Sequence, residues 1–156
     1  MNAKHQVVSH QDWIEARQVL LAKEKQFTRL QEELNQERRD LPWEAVTKEY
    51  EFVGPQGRES LSDLFAGRTQ LIVYHFMFAP DWNAGCPHCS FWADNFDGII
   101  AHLNQRDVSM VAISRAPYEK LAAYQKRLGW SFKWLSSGET PFNFDYQETI
   151  LVEIKQ

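Results

Sequence analysis

The sequence predicts an α/β protein with a mostly parallel central sheet flanked by helices and preceded by a long N-terminal helix. Three observations predict it. Residues 1–43 carry apolar residues at helical spacing, strand-like and helix-like segments alternate from residue 44 onward, and a Cys-x-x-Cys motif separates a strand from a helix. The order strand, helix, strand, helix, strand is a βαβ crossover with its continuation, which favours parallel strands. We therefore predict a helical extension over 1–43 and one α/β domain over 44–156.

The composition is that of a folded protein without a strongly basic surface. The chain has 156 residues, 44% hydrophobic residues, 24% charged residues and a formal net charge of −4. These values exclude a disordered chain and argue against a protein that binds nucleic acid or a membrane surface through basic charge. No apolar run approaches the roughly 20 residues of a membrane-spanning helix, and residues 1–9 lack a signal-peptide pattern. We expect a cytoplasmic protein.

The first element is predicted to be one long helix. Ser9 can cap its N-terminus with Asp12 at the capping-box position, and Pro42 disfavours helix beyond residue 40. Apolar residues recur every seven positions along it, which makes a narrow stripe: Trp13, Leu20, Phe27 and Leu34. A helix over about 10–38 would be about 40 Å long. Two interpretations remain open, a helix that lies over its own domain and an arm that forms a homodimer.

The remaining elements follow from apolar periodicity and from turn residues. We predict strands over 46–53, 70–78 and 108–113, an extended segment over 130–135, and a short helical turn over 62–65. The run 70–78 is apolar apart from Gln70 and His75, as in a strand covered on both faces, and 108–113 is predicted to be the next buried strand. One helix is predicted to follow the Cys-x-x-Cys motif, with Cys89, Ala93, Phe96, Ile100 and Leu103 on its inner face. Another is predicted between Pro117, at its first position, and Gly129.

The chemistry of the chain is expected at Cys86-Pro87-His88-Cys89. These are the only two cysteines, and in a reducing compartment such a pair indicates reactivity rather than a structural disulfide. A helix N-terminus stabilises a thiolate through unpaired N–H groups and the helix dipole. Pro87 suits the first helical turn, and His88 offers a cation or hydrogen-bond donor to Cys86. We predict that Cys86 is the nucleophile, at an exposed tip, and that Cys89 is the resolving thiol.

Two other interpretations of the cysteines stay open. They could be inert, or they could bind zinc together with two of His75, His88 and His102. The zinc interpretation is weakened because His75 lies in mid-strand and His102 lies near the far end of a helix. A second Cys-x-x-Cys motif is also absent from the sequence. We expect His75 to be a hydrogen-bonded core histidine.

Supporting roles are predicted for two further residues. Trp82, beside Asp81 in the loop before Cys86, could form a wall of the thiol pocket or of a surface for the reaction partner. The alternative is that it covers the edge of the core. Arg115 follows a predicted strand and could supply a cation to a thiolate or an oxyanion. The alternative for Arg115 is a solvent-facing loop residue.

Several segments resemble the bacterial thioredoxin-like family known as domain of unknown function 899 (DUF899). The resemblance spans about residues 5–146, and it is carried by residues 37–43, 70–78, 85–98 and 114–117. It implies a thioredoxin-like domain over 44–156, related to the peroxiredoxins, and no established substrate. Asn83 and Ala79 stand where peroxiredoxins have a Thr or Ser and a Pro, which weakens a peroxidase function. After Tyr146 the chain departs from the family pattern and looks shortened.

The sequence thus favours a thiol–disulfide oxidoreductase of unknown physiological substrate. It would need no metal or organic cofactor, because its redox group would be a Cys86–Cys89 disulfide. Its expected partners are protein or small-molecule thiols and disulfides. A first alternative is a non-catalytic dimeric interaction protein with a vestigial or regulatory Cys-x-x-Cys motif. A second is a peroxiredoxin-like peroxidase. The alternating Ile150, Val152 and Ile154 predict a final half-buried strand.

Overall fold

A computed structural model describes residues 5–148 of the chain. The chain divides into two compact units, Met1–Val46 and Thr47–Gln156. None of the helices within residues 5–148 combines the length and the apolar character needed to cross a membrane. The strand predicted around Ile150, Val152 and Ile154 lies outside the described residues.

The first unit contains one helix, α1, over His10–Asp40. Ser9 caps it as predicted, because its Oγ accepts a hydrogen bond of 3.2 Å from the backbone N–H of Asp12. No residue of α1 is buried, and the apolar stripe is part of the exposed surface. Phe27, near the middle of that stripe, exposes 68% of its surface.

Within residues 47–148, the second unit is built on a five-stranded sheet with the order β2-β1-β5-β4-β3. The strands are β1 (Glu51–Gly54), β2 (Gly57–Ser60), β3 (Gln70–His75), β4 (Val108–Ser114) and β5 (Trp134–Ser136). β3, β4 and β5 are parallel, as the predicted crossovers require. β1 pairs antiparallel with both β2 and β5. The predicted α/β sheet is thus confirmed, but within residues 5–148 it is mixed rather than mostly parallel, because two of its four strand pairings are antiparallel.

The helices of this unit surround the sheet and place the cysteine motif at a helix start. They are α2 (Pro87–Ala93), α3 (Phe96–Asn104), α4 (Tyr118–Leu128) and α5 (Phe142–Asp145), with one 3₁₀ turn at Asp63–Phe65. Our prediction of a single helix after the motif was wrong, since Asp94 and Asn95 separate α2 from α3. The Asp94 carboxylate accepts a hydrogen bond of 2.9 Å from the Trp130 indole, which holds the break in place.

Two apolar clusters form the core of the domain. One contains Phe76, Phe78, both cysteines and Leu121, and the other contains Phe52, Ile113 and Phe142. Along β3 the side chains alternate between the clusters, as a strand requires: Leu71 and Val73 join one, and Tyr74 joins the other. This alternation puts the end of β3 against the helix that carries the cysteines.

The segment 70–78 is not a strand covered on both faces. Strand pairing ends at His75, and β3 is the edge strand of the sheet within residues 5–148. Ile72 accordingly remains 42% exposed. The first predicted strand also begins later than expected, at Glu51 rather than at residue 46.

Candidate functional site

The cysteine motif is held at the junction between the end of β3 and the start of α2. The backbone N–H of Cys86 donates a 3.0 Å hydrogen bond to the carbonyl of Met77. Cys86 is the N-cap of α2 and Pro87 is its first residue, as predicted. Gly85 lies so close to Phe76 that an added Cβ would be 2.6 Å from the ring. Close backbone approach therefore explains the glycine before the motif.

Both cysteines are free thiols in the structure, and both are buried. Cys86 and Cys89 each expose 8% of their surface. The prediction that Cys86 lies at an exposed tip was therefore wrong. Its side chain belongs to the apolar cluster that contains Phe76 and Phe78. Little of the residue is therefore open to an incoming substrate.

The surroundings of the two sulfurs differ, and this difference gives the thiols separate chemistry. Burial raises the pKa of Cys86, but hydrogen bonds to its sulfur from the N–H and thiol of Cys89 and from the N–H of His88 outweigh burial. The net result is a lowered pKa. The pKa of Cys89 is raised, first by burial, although the N–H of Met77 favours its thiolate. Cys86 is thus the thiol that ionises more readily, and Cys89 is the thiol that keeps its proton more firmly.

His88 contributes through its backbone rather than through its ring. Its side chain is exposed, and the group that stabilises the Cys86 thiolate is the His88 N–H. This is the donation expected of the unpaired N–H groups in a first helical turn. The sequence predicted that the ring of His88 acts on Cys86, whereas the group that does so in the structure is the backbone N–H of His88.

Hydroxyl groups around the motif form a feature that the sequence analysis missed. The Tyr74 hydroxyl donates to the carbonyl of Cys89 at 3.4 Å. Ser90 Oγ donates to the carbonyl of Cys86 at 3.0 Å and lies 3.1 Å from the Tyr124 hydroxyl. Burial, followed by the neighbouring cysteines, raises the pKa of Tyr74 far above its usual value. Tyr74 is therefore a neutral hydrogen-bond donor beside the resolving thiol.

Trp82 and Arg115 both line a cavity of about 190 Å³. The loop of Trp82 is held by Lys120, whose Nζ donates to the carbonyls of Pro80 and Trp82 at 2.7 and 2.9 Å. The guanidinium of Arg115 lies 4.8 Å from the centre of the Phe144 ring. Among the described residues, the hydrogen bonds to the Cys86 sulfur come from Cys89 and His88 rather than from Arg115.

His75 is not the hydrogen-bonded histidine that we predicted. Its Nδ1 is buried and has no hydrogen-bond partner within residues 5–148, and its ring stacks on Phe142 at 5.4 Å. Burial lowers the pKa of His75, which favours a neutral imidazole. Over the same range, no group of three or more His, Cys, Asp and Glu side chains is placed to hold a metal ion.

A family model described as "Bacterial protein of unknown function (DUF899)" matches residues 2–155. The chain belongs to this family. The match continues past Tyr146, beyond the segment in which we recognised the resemblance. No curated protein matches the sequence.

Solved structures with a similar fold are redox proteins by name. PrxQ from Xylella fastidiosa, solved as a cysteine-to-serine mutant, superposes with a TM-score of 0.51 at 14% identity. The match covers 68% of this chain and 62% of PrxQ, so the DUF899 chain spans less than two thirds of that structure. A Bacteroides vulgatus protein, provisionally described as a thiol-disulfide oxidoreductase, gives a TM-score of 0.50 at 13% identity. Here the match covers 67% of this chain and 70% of the other. At these identities the likeness establishes the thioredoxin-like fold.

Proposed function

We propose that this DUF899 protein is a thiol–disulfide oxidoreductase in which Cys86 attacks and Cys89 resolves. The Cys86 thiolate attacks a substrate disulfide, an S–S bond forms to Cys86, and the other substrate sulfur leaves as a thiolate. Cys89 then gives its proton to solvent and attacks Cys86, which releases the second substrate sulfur and leaves a Cys86–Cys89 disulfide. Two electrons pass to the substrate, and a partner dithiol restores the protein.

The observation that carries this proposal is the unequal pair of thiols at the start of α2. The pKa of Cys86 is lowered by donors fixed in the first helical turn, whereas the pKa of Cys89 is raised by burial. Two-step exchange uses a first thiol that ionises more readily than the second, so that Cys86 attacks the substrate and Cys89 reacts only afterwards.

The rest of the proposal follows from this chemistry. Electrons are held by the two sulfurs, so neither a metal nor an organic cofactor takes part. A dithiol form that is regularly restored suits a reducing compartment, and we place the protein in the cytoplasm. Its partners are the thiols and disulfides of proteins or small molecules.

The proposal is tested by alkylating the reduced protein at several pH values and following Cys86 and Cys89 separately by peptide mass. We expect Cys86 to react with a midpoint below the roughly 8.5 of a free cysteine, with Cys89 protected. Cys86→Ser should abolish disulfide exchange, while Cys89→Ser should trap a mixed disulfide on Cys86. Two slow thiols with ordinary pKa values would overturn the proposal.

Hydrogen peroxide distinguishes the peroxidase alternative in the same assay. A peroxidase would convert the Cys86 thiolate to a sulfenic acid and release water, and Cys89 would then close the disulfide. We expect disulfides to oxidise the protein faster than peroxide does at equal concentration. The reverse order would replace the oxidoreductase by a peroxidase that uses the same two cysteines.

The exposed stripe on α1 favours a second role, and we propose that it joins two copies of this chain. Trp13, Leu20, Phe27 and Leu34 repeat every seven residues, and all four are exposed. Sustained heptad spacing is the pattern with which two identical helices interlock. A helix of 31 residues contains four such heptad positions, so two copies could pack along several turns.

Sedimentation at a series of protein concentrations tests the dimer. The full chain should sediment as a dimer, and Phe27→Asp should make it a monomer. The control is Gln18→Asp, which adds the same charge at an exposed position on the outer side of the heptad and should leave the dimer intact. A wild-type monomer at every concentration would remove this role without affecting the redox proposal.

A further inference from the structure

The cavity beside Arg115 has a mainly apolar lining with a few polar side chains, and the thiol chemistry does not use it. We name it the Arg115 cavity. It is walled by Met77 and Trp82 on its apolar side, and Asn143 and Glu148 add polar groups. Its volume of about 190 Å³ is below the roughly 300–1,000 Å³ of pockets for drug-sized ligands. Its size therefore suits a small molecule or one end of a larger one.

The charge in this cavity favours an anion. Arg115 is partly buried, and within residues 5–148 its guanidinium forms no ion pair. Within the same residues the guanidinium lies over the face of Phe144, which leaves its N–H edge available. Glu148, the one acidic residue of the lining, is exposed, so solvent weakens its charge, which nevertheless acts to raise the pKa of His75 in the same lining. A guanidinium fork matches the two oxygens of a carboxylate.

Asn143 supplies a second donor of suitable chemistry. Its side chain is buried, and its Oδ1 accepts a hydrogen bond from the Ser137 hydroxyl. The acceptor side of the amide is therefore occupied, and the NH₂ side remains to donate. A carboxylate can accept hydrogen bonds from both the Arg115 guanidinium and the Asn143 amide. The apolar side chains of Met77 and Trp82 suit the carbon chain attached to the carboxylate.

The cavity is connected to the reactive cysteine through one hydrogen bond. Met77, which forms part of its wall, accepts the 3.0 Å hydrogen bond from the N–H of Cys86. Trp82 stands in the loop that leads directly to Cys86. A molecule anchored in the cavity thus lies against the same backbone segment that holds the attacking thiol.

We propose that the Arg115 cavity binds the carboxylate of a small disulfide, with Arg115 and Asn143 as its donors. The substrates are then low-molecular-weight disulfides that carry a carboxylate a few bonds from sulfur. This inference rests on the proposed oxidoreductase function for its reaction, but the binding site itself does not depend on Cys86.

The kinetic test compares two disulfides of similar size, 3,3′-dithiodipropionate and uncharged bis(2-hydroxyethyl) disulfide, with dithiothreitol as the reductant. The measured quantity is the ratio of kcat/KM for the acid to kcat/KM for the alcohol. Arg115→Met should lower this ratio roughly ten- to a hundredfold, mainly through KM, because a hydrogen-bonded charge pair is lost. Arg115→Lys should recover part of it.

Arg106→Met is the matched control. It removes the same charge, and Arg106 is exposed and lies outside the cavity. Its ratio should equal that of the wild type. If Arg115→Met and Arg106→Met change the ratio equally, the effect is long-range charge and the proposal is overturned. If neither disulfide oxidises the wild-type protein, the oxidoreductase function fails, and the binding test below decides the cavity alone.

That test uses ligands that cannot react, 3-(methylthio)propanoate and 3-(methylthio)propan-1-ol. Binding is followed by NMR on the Trp82 indole N–H, which Trp82→Phe assigns. The acid should shift this signal in wild type and in Cys86→Ser but not in Arg115→Met, and the alcohol should not shift it. Equal shifts with acid and alcohol, or no shift with the acid, would overturn the carboxylate site.

Discussion

The N–H of Cys86 donates to the carbonyl of Met77 at 3.0 Å, and this bond joins the start of α2 to the continuation of β3. The N–H of Met77 in turn favours the thiolate of Cys89. Met77, two residues after the end of β3, therefore positions both cysteines through its backbone N–H and carbonyl. Because these groups belong to the backbone, the arrangement requires the segment before Cys86 to lie close to the segment that follows β3.

Close approach predicts that Gly85→Ala is destabilising. Its Cβ would lie 2.6 Å from the Phe76 ring, and Phe76 is itself packed 4.6 Å from the Trp134 ring. We expect a loss of about 1–3 kcal/mol in the free energy of unfolding, since an overpacked core must shift. The loss should appear as a lower Tm, together with slower alkylation of Cys86.

Gly98→Ala is the control for this substitution. Gly98 lies inside α3, and a Cβ added there has no atom within 4 Å. Alanine should therefore stabilise the protein by about 0.5–1 kcal/mol through helix propensity. If both variants change Tm in the same direction and by the same amount, the close approach to Phe76 is not what selects glycine at position 85.

The Tyr74 hydroxyl leads to a prediction about the second step of exchange. It donates to the carbonyl of Cys89 and also favours the Cys89 thiolate. Tyr74→Phe should raise the pKa of Cys89 further and slow the attack on the mixed disulfide by several-fold. The mixed disulfide on Cys86 should accumulate in quenched samples analysed by mass. Tyr118→Phe, in which the lost hydroxyl has no recorded hydrogen bond among residues 5–148, should leave resolution unchanged.

Features encoded within a few residues were predictable from the sequence. The cap at Ser9, the helix start at Pro87 and the helix end at Gly129, whose φ is +74°, all follow from local backbone preferences. The lowered pKa of Cys86 has the same local origin, because the first turn of a helix presents free N–H groups, whereas the raised pKa of Cys89 depends on its burial in the fold.

Features that depend on distant parts of the chain were not predictable. The break at Asp94 leaves the apolar periodicity of the two helices in phase, and the Trp130 indole that binds Asp94 lies 36 residues away. Cys86 is buried in a cluster with Phe76 and Phe78, which follow β3. The sequence separation between these residues and Cys86 does not predict that burial. Tyr74 is one aromatic residue in an apolar strand, so only the fold reveals its hydroxyl as a donor to Cys89.

Lys120 is predicted to control the position of Trp82. Its Nζ donates to the carbonyls of Pro80 and Trp82, which tie the loop before the cysteines to α4. Lys120→Met should increase amide hydrogen exchange in residues 79–85 and raise KM for disulfides, because the wall of the Arg115 cavity loosens. Lys126→Met removes the same charge from α4 at an exposed position and should do neither. Unchanged exchange in both variants would show that the loop is held by other contacts.

The opposed pKa shifts of the cysteines predict how the stability of the reduced protein depends on pH. The folded pKa of Cys86 lies below its unfolded value of about 8.5. Between these two values the unfolded chain binds more protons, so stability increases with pH there. The contribution is complete above about pH 8.5 and is lost as the pH falls through the folded pKa. Cys89, with a raised pKa, contributes stability that is lost only at higher pH.

Urea unfolding under reducing conditions between about pH 6 and 8.5 measures this effect. The difference in free energy of unfolding between wild type and Cys86→Ser should grow with pH over this range. The same difference for Cys89→Ser should stay nearly constant, because its thiol remains protonated in both folded and unfolded chains below about pH 8.5. A Cys86→Ser difference that is flat with pH would mean that the folded protein does not stabilise the Cys86 thiolate, and the assignment of Cys86 as nucleophile would fall with it.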